Sequence, residues 1–189
     1  MLCNGKDGSD VSWTSATWFL SPPAVVTAVM PRDRQSELSA KEPATRAEWD
    51  SYFYLRWRIL RKPWEQPRGS EQDALDGKSF HLMIQDAADA VAVGRLHLNS
   101  AEEAQVRYMA VDPAHQGSGL GRKILQGLEN RAWAQGVKRI VLNSRTGAVG
   151  FYTRQGYEAI GPGETLFGEV QHTRMRKNLG PNSAEKKSK

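Results

Sequence analysis

The stretch that decides how this chain folds is Gln116-Gly117-Ser118-Gly119-Leu120-Gly121-Arg122. Glycines at alternate positions let the backbone come close to a bulky anion and point several N–H groups at it. An apolar periodicity typical of a helix starts at Leu120, so the positive end of a helix dipole adds to the same site. Arg122 and Lys123 stand in the first turn, where an anion would offset their charge. We therefore predict that a phosphate or pyrophosphate binds here.

Two other phosphate-binding motifs do not fit this stretch. The Walker loop needs Gly-Lys-Ser/Thr, and the dinucleotide fingerprint needs Gly-x-Gly-x-x-Gly followed by an acidic residue. Here the glycines are two residues apart, and the next buried strand ends in Leu142-Asn143-Ser144, where a ribose-binding carboxylate would be expected. A glycine-rich turn that binds no ligand is the alternative that stays open.

Upstream of the glycines, the patterns predict two helices and three strands. Thr45-Arg46-Ala47-Glu48 is a capping box, so a helix starts at Thr45 and runs until Pro63 stops it. Ser70-Glu71-Gln72-Asp73 predicts a second, short helix that ends at Gly77. Apolar residues then alternate, which predicts antiparallel strands at about 80–84, 91–98 and 105–111.

Downstream of the glycines, strands and helices alternate. The helix that starts at Leu120 should end at Gly136, and the next elements are a strand at 139–142, a helix at about 148–154 and strands at 157–160 and 171–177. The first strand of the sheet has two candidate positions, 24–30 and 37–39. We expect a poorly ordered N-terminal extension at 1–43, one domain at 44–179 and a disordered basic tail at 180–189.

The composition sets limits on the class of protein. The chain has 189 residues, 39% hydrophobic and 25% charged, as expected for one soluble globular domain. Its net charge of +5 comes partly from the tail, so we expect no nucleic-acid partner. Cys3 is the one cysteine and the four histidines are scattered, which predicts no metal site. With a single cysteine no disulfide framework can form within the chain, so a reducing cytoplasm fits best. The apolar segment at 18–30 is interrupted by prolines, which argues against a membrane span.

Two motifs together resemble the GCN5-related N-acetyltransferase (GNAT) superfamily. Its central signature is Gln/Arg-x-x-Gly-x-Gly/Ala, which Gln116, Gly119 and Gly121 match. Gly150-Phe151-Tyr152-Thr153-Arg154-Gln155-Gly156-Tyr157 is similar to the later motif, aromatic-Tyr-x-x-x-Gly-Phe/Tyr. The resemblance covers most of the chain from about 45 to 179. It implies an α/β (α+β) fold with a mixed, mostly antiparallel central sheet that is splayed in the middle and has helices on both faces.

The resemblance also implies acetyl-coenzyme A as the acyl donor. The strand before the signature would hold the pantetheine arm and the thioester through the backbone of Met109, Ala110 and Val111. The pyrophosphate would lie on the backbone N–H groups of Gly117, Ser118, Gly119, Leu120, Gly121 and Arg122, and Gln116, which opens the signature, is counted with them as a cofactor-binding residue. Relatives often carry Asn about seven residues before the motif tyrosine, where this chain has Arg145. Asn143 is our candidate for the same contact, while Arg145 could reach a phosphate or the acceptor instead.

Two residues are candidates for proton transfer. The leaving thiolate needs a proton, and Tyr152 stands at the superfamily position of the general acid. The alternative for Tyr152 is packing beside Phe151. His172 lies in a segment that resembles the acceptor site of the bacterial ElaA-like branch, so it is our candidate for catalysis or acceptor contact. A structural histidine is the alternative there.

The resemblance implies transfer of an acetyl group to a primary amine by direct attack on the thioester. The acceptor pocket would be lined by the first two helices and their loop, which supply Trp57, Arg58, Arg61, Trp64 and Arg68. These types suit an acceptor with an apolar part and a carboxylate, although core tryptophans and solvated arginines explain them too. We expect a small-molecule amine. Acetylation of protein N-termini or lysines and a non-catalytic acyl-coenzyme A sensor are the alternatives, and a homodimer is left open.

Overall fold

Six strands form one mixed sheet in the computed structural model, which describes residues 38–180 of the chain. The strands are β1 (Phe80–Asp86), β2 (Asp89–Leu98), β3 (Glu103–Val111), β4 (Arg139–Arg145), β5 (Glu158–Pro162) and β6 (His172–Asn178). Across the sheet their order is β1-β2-β3-β4-β6-β5, and β3 and β4 are the parallel pair. The mixed, mostly antiparallel sheet and the predicted order of elements around it are confirmed.

The helices cover both faces of this sheet, as the resemblance implied. They are α1 (Arg46–Leu60), α2 (Leu120–Ala134) and α3 (Val149–Arg154). On one face, Tyr52 and Leu55 of α1 pack with Met83, Val93 and Ala110 of the sheet. On the other face, the buried side chains of α2 and α3 form a second core cluster with the opposite side of the strands. The sheet is therefore buried on both sides around β2 and β3.

The start of α1 is the capping box that the sequence predicts. The Thr45 side chain accepts a hydrogen bond from the Glu48 N–H (3.2 Å), and the Glu48 carboxylate accepts one from the Thr45 N–H (2.9 Å). These two bonds satisfy N–H groups that a helix start would otherwise leave unpaired. The helix ends at Leu60, ahead of Pro63, so both of its predicted boundaries are confirmed.

The second predicted helix is wrong. The chain between 70 and 79 forms turns and a single short 3-10 turn, Asp76–Lys78. Ser70 does not cap a helix, because its hydroxyl donates to the Pro67 carbonyl (2.6 Å). Asp73 does not complete a capping box either, since its carboxylate accepts a hydrogen bond from the Arg95 guanidinium (2.6 Å). A local bond therefore engages Ser70, and a long-range ion pair engages Asp73, in place of the predicted cap.

The N-terminal end of the described chain pairs with the free edge of β1. Lys41 and Met83 exchange two backbone hydrogen bonds, at 2.9 and 2.8 Å, in an isolated antiparallel bridge. Of the two candidate positions for a first strand, 24–30 lies outside the described residues. At the other, Leu38 and Ser39 are not in a strand, so the pairing falls two residues later than expected. Residues 1–37 and 181–189, with most of the predicted extension and tail, also lie outside.

Candidate active site

The central feature is a cleft where the sheet opens between β3 and β4. The two strands are paired over four positions, from Glu103 opposite Arg139 to Val106 opposite Leu142. Beyond these, β3 stays paired with β2 and β4 with β6, so residues 107–111 and 143–145 diverge. The edge of β3 that faces β4 is then free to bind an extended ligand through its backbone. The predicted splay in the middle of the sheet is confirmed.

A bulge in β3 accompanies this opening. Tyr108 and Met109 together face the single residue Gly94 on β2, and Tyr108 has a left-handed backbone with φ +55°. A bulge of this kind bends the strand and redirects its side chains. Gly94 is required on the other side, since a Cβ there would lie 2.6 Å from the Ile124 side chain of α2. The bulge leaves Tyr108 and Met109 lining the cleft.

A buried ion-pair network holds Tyr108. Its hydroxyl donates to Asp73 (2.9 Å), and the fully buried Arg95 donates to Asp73 (2.6 Å) and Asp76 (2.8 Å). Arg56, also fully buried, pairs with Asp76 (2.9 Å) and lies 3.9 Å from the Tyr108 ring centroid. Burial raises the pKa of Asp73, but the bonds from Arg95 and Tyr108 outweigh it and hold that pKa well below its usual range. The loop after α1 is thereby fixed to the sheet beside the cleft.

The glycine-rich loop follows β3 and has the geometry of an anion cradle. Gly117 and Gly119 have left-handed backbones, with φ of +78° and +87°, and a Cβ at either position would meet open space. Within residues 38–180, nothing accepts a hydrogen bond from the backbone N–H groups of residues 117–122. These N–H groups sit at the N-terminus of α2, where the helix dipole favours an anion. Pyrophosphate binding at this loop stays a prediction.

Three side chains of the same loop make their contacts within the protein. Gln116 donates to the Val111 carbonyl (3.3 Å), the Ser118 hydroxyl bonds the His115 carbonyl, and Leu120 is buried in the core. None of these three side chains is directed at a ligand by the contacts it makes. Binding of the pyrophosphate by the backbone N–H groups of Ser118 and Leu120 stays a prediction.

Gly121 and Arg122 begin α2 in different ways. A Cβ at Gly121 would lie 3.4 Å from the Val111 side chain and 3.6 Å from the Phe151 ring, so glycine lets the helix start pack against both. Phe151 is packed against the core. Arg122 is exposed, and no ion pair with it is present in the described part of the chain. Its guanidinium is available to a ligand at the helix start.

Tyr152 lines the cleft from α3. Its side chain is 8% exposed, and its ring packs edge-on against Phe151 and Tyr157, at 4.9 and 5.8 Å between centroids. Burial raises the pKa of its phenol well above the usual range, so the hydroxyl stays protonated at neutral pH. The hydroxyl makes no hydrogen bond to any described residue and remains a donor for a ligand in the cleft.

His172 lies at the start of β6 and also lines the cleft. Its Nδ1 is 2.9 Å from the carbonyl oxygens of both Glu164 and Val170. Since a carbonyl can only accept, Nδ1 carries the hydrogen, and Nε2 is left as the acceptor of the neutral ring. Asn143, the candidate for the pantetheine contact, lines the same cleft from the end of β4.

The acceptor pocket predicted on α1 and its loop stays a prediction, and the structure shows where its five residues lie. Of the five residues named for it, Arg61 lines the cleft. Arg58 forms an ion pair with Asp112, and Trp57 donates to the Gln66 carbonyl (2.9 Å). No local pattern indicates that Arg107 and Tyr108 of β3 line the cleft, because the direction of their side chains depends on the bulge.

Two observations bear on the predictions that the chain has no metal site and no membrane span. In the stretch from 38 to 180, no three His, Cys, Asp or Glu side chains come together as a group able to hold a metal ion. None of the helices in that stretch has the length and apolarity needed to cross a bilayer.

The fold is similar to solved acetyltransferases. An aminoglycoside 6'-N-acetyltransferase complexed with coenzyme A superposes with a TM-score of 0.64 at 14% identity, covering 75% of this chain and 97% of that one. Escherichia coli ElaA superposes with a TM-score of 0.62 at 17% identity, covering 74% of this chain and 99% of that one. Identities this low speak for the fold alone.

Sequence comparison goes further than the fold. The chain is 29% identical over 126 residues to the uncharacterized N-acetyltransferase YjcF of Bacillus subtilis (strain 168), covering 67% of this chain and 89% of that protein. The family model of the acetyltransferase (GNAT) domain matches residues 63–179, which is more than half of the chain. The superfamily predicted from the two motifs is confirmed. The protein therefore belongs to the GNAT family of acetyltransferases and is an acyltransferase enzyme.

Proposed function

We propose that this enzyme transfers the acetyl group of acetyl-coenzyme A to the primary amine of a small molecule. The observation that carries the proposal is the cleft between β3 and β4, with Tyr152 and His172 on its walls. The free edge of β3 leads from this cleft toward the glycine loop, whose unpaired N–H groups suit a pyrophosphate. A thioester held along β3 would thus have its reactive end in the cleft.

The side chains in the cleft suit the two proton transfers that the reaction requires. The amine nitrogen attacks the carbonyl carbon of the thioester, a C–N bond forms, and negative charge develops on the former carbonyl oxygen. As the C–S bond breaks, the Tyr152 hydroxyl donates a proton to the departing sulfur. The nitrogen, now bonded to the acetyl group, loses its extra proton to Nε2 of His172, which its Nδ1 contacts leave as an acceptor.

The test is thiol release from acetyl-coenzyme A by the purified chain over a panel of primary amines. We expect release that depends on the amine. Tight binding of acetyl-coenzyme A with no turnover on any amine would instead support a non-catalytic acyl-coenzyme A sensor. Turnover confined to peptides with a free N-terminus or a lysine would move the acceptor to the protein class.

The base role of His172 has a separate test. In His172→Ala the rate should fall by about 100-fold or more, the usual contribution of a positioned general base. Added imidazole should restore part of the rate, because it can occupy the space of the lost ring and accept the proton. A variant whose rate is lost but not recovered by imidazole at any concentration would argue for a structural histidine.

A further inference from the structure

We infer that the acceptor carries a carboxylate as well as its amine, and that Arg61 and Arg145 bind that carboxylate. The inference rests on the proposed function and names the substrate class of the same cleft. The acceptor would be an amino acid or a related small amino carboxylate.

The first observation is unneutralised positive charge in the cleft. Arg61, Arg107 and Arg145 line it, and the acidic side chain in the same lining is that of Glu164. Among residues 38–180, no carboxylate oxygen lies within 4.0 Å of a guanidinium nitrogen of these three arginines. Arginine stays protonated in proteins, so the charge is present at any working pH. The cleft is therefore cationic where an acceptor would enter.

Other buried arginines of this protein are paired. Arg56 and Arg95, both fully buried, bind the carboxylates of Asp73 and Asp76. Arg58, which is about one-third exposed, pairs with Asp112. Burying a charge without a partner is costly, and these pairs remove the cost. Arg61 is 8% exposed; its Nε donates to the Ser70 carbonyl (2.9 Å) and its guanidinium lies over the Tyr108 ring, but within the described chain no carboxylate pairs with it.

The second observation is that two of the cleft guanidinium groups converge. Arg61 Nη1 donates to the Leu60 carbonyl (3.1 Å), and Arg145 Nη2 donates to the same oxygen (3.2 Å). Two donors on one oxygen bring two like charges close together. Burial lowers the pKa of Arg145, and repulsion from Arg61 acts in the same direction. A carboxylate has two oxygens and accepts from two guanidinium groups at once, so it would relieve this repulsion.

The third observation places the anion next to the base. Arg145 of β4 and His172 of β6 are direct cross-strand partners. The side chains of such partners lie side by side on one face of the sheet. A carboxylate on Arg145 and an amine near Nε2 of His172 therefore belong to one small molecule.

The experiment compares acceptors in matched pairs that differ only in charge. The pairs are glycine, β-alanine, 4-aminobutyrate and L-leucine, each against its primary amide, so that several spacings between amine and carboxylate are covered. We expect at least one carboxylate to exceed its amide by about tenfold or more in kcat/KM, the factor that corresponds to about 1.4 kcal/mol. The amide form makes the amine less basic, so a larger fraction of it is unprotonated and able to attack at neutral pH. This difference works against the expected result.

The variant Arg145→Gln tests whether Arg145 is responsible for the preference for a carboxylate acceptor. It should raise KM for the carboxylate acceptor about tenfold and raise KM for the amide much less, so that the preference for the carboxylate is lost. Arg176→Gln is the matched control, since Arg176 is exposed on β6, outside the lining of the cleft, and its loss changes the net charge equally. Thermal unfolding of both variants shows whether either is simply less folded.

Each outcome decides one of the two proposals. Amides that serve as well as carboxylates overturn the carboxylate site and leave the acetyltransferase function standing. If no amine is acetylated although acetyl-coenzyme A binds, the proposed function fails. The site is then tested by calorimetry of L-leucine and L-leucinamide with the acetyl-coenzyme A complex. Carboxylate-dependent binding that Arg145→Gln abolishes supports the site, and its absence overturns it.

Discussion

Under the proposed function, the acceptor binds in the cleft, the acceptor end, and the cofactor extends along β3 to the glycine loop, the cofactor end. These two parts are built in different ways. The cofactor end, 116–122, is one continuous segment that presents backbone N–H groups on left-handed glycines. The acceptor end collects side chains from four separate places: Arg61 after α1, Tyr108 on β3, Arg145 on β4 and His172 on β6. A backbone site depends on glycine spacing and leaves a signature in the sequence, whereas a side-chain site depends on how distant elements pack.

The largest effect is expected where the two ends meet, at Tyr152. Tyr152→Phe should lower kcat by about 100-fold or more with little change in KM for acetyl-coenzyme A, because a general acid acts in the transition state and not in binding. The measurement is steady-state thiol release from pH 6 to pH 9. Tyr157→Phe is the control, since Tyr157 packs against Tyr152 but does not line the cleft. Full turnover of Tyr152→Phe at every pH would remove the acid role.

The next effect concerns the side-chain supports of the acceptor end. Asp73→Asn should lower the free energy of unfolding at pH 7 by about 2–3 kcal/mol, because Arg95 loses one of its two carboxylates in a buried site. The measurement is urea unfolding. Glu102→Gln is the control, since it removes a carboxylate from an exposed pair with Lys138 and should leave the midpoint unchanged.

The loss of stability in Asp73→Asn should depend on pH. Asp73 has a lowered pKa in the folded protein, below the value of about 3.9 for an unfolded aspartate. Its contribution is therefore present above about pH 4 and is lost as the pH falls further, through the folded pKa. The gap in unfolding free energy between the parent and Asp73→Asn should shrink on acidification below pH 4. A gap that stays constant to pH 2 would contradict the ion pair.

Cofactor binding at the glycine loop should weaken when the backbone of the loop is strained. Gly119→Ala places a side chain on a left-handed residue, where the strain is roughly 1–2 kcal/mol, and projects a methyl group into the open cradle. We expect KM for acetyl-coenzyme A to rise about tenfold. Gly136→Ala is a matched control, because Gly136 follows the other end of α2, has φ +80° and also faces open space. It should cost similar stability and leave KM unchanged, which separates backbone strain from binding.

The smallest effect is expected for a side chain at the cofactor end. Arg122→Gln removes an exposed charge at the start of α2 and should raise KM for acetyl-coenzyme A only about two- to threefold at low salt. The difference should fall further at 0.5 M salt, because screening weakens an exposed ion contact. A loss as large as that of Gly119→Ala would mean that the cradle depends on side chains, and the contrast between the two ends would fail.

Local patterns account for most of the fold that the sequence predicts. The capping box at Thr45 and Glu48 and the alternation in β1 to β3 act over a few residues, so they can be read directly. The helix expected at 70–77 is absent because Asp73 and Asp76 bind Arg95, a contact between distant positions that no local pattern contains.

The candidate site likewise has one part that local sequence indicates and another part that depends on contacts between distant residues. Gln116, Gly119 and Gly121 identify the cofactor end, since their spacing is itself the structural requirement. The left-handed backbone of Tyr108 arises from the bulge opposite Gly94. A tyrosine in the sequence does not indicate such a conformation. The convergence of Arg61 and Arg145 on the Leu60 carbonyl needs the end of α1 and the end of β4 to be in place first.

The buried ion pairs also have a consequence for the order of folding. Arg56 reaches Asp76 across 20 positions, and Arg95 reaches Asp73 across 22. Contacts of such separation carry a cost in loop closure that must be met before they stabilise anything. The loop at 61–79 has little regular structure of its own, so we expect it to order last, onto a sheet and an α1 that are already assembled. The enzyme would then acquire its cofactor cradle earlier than its selectivity for an acceptor.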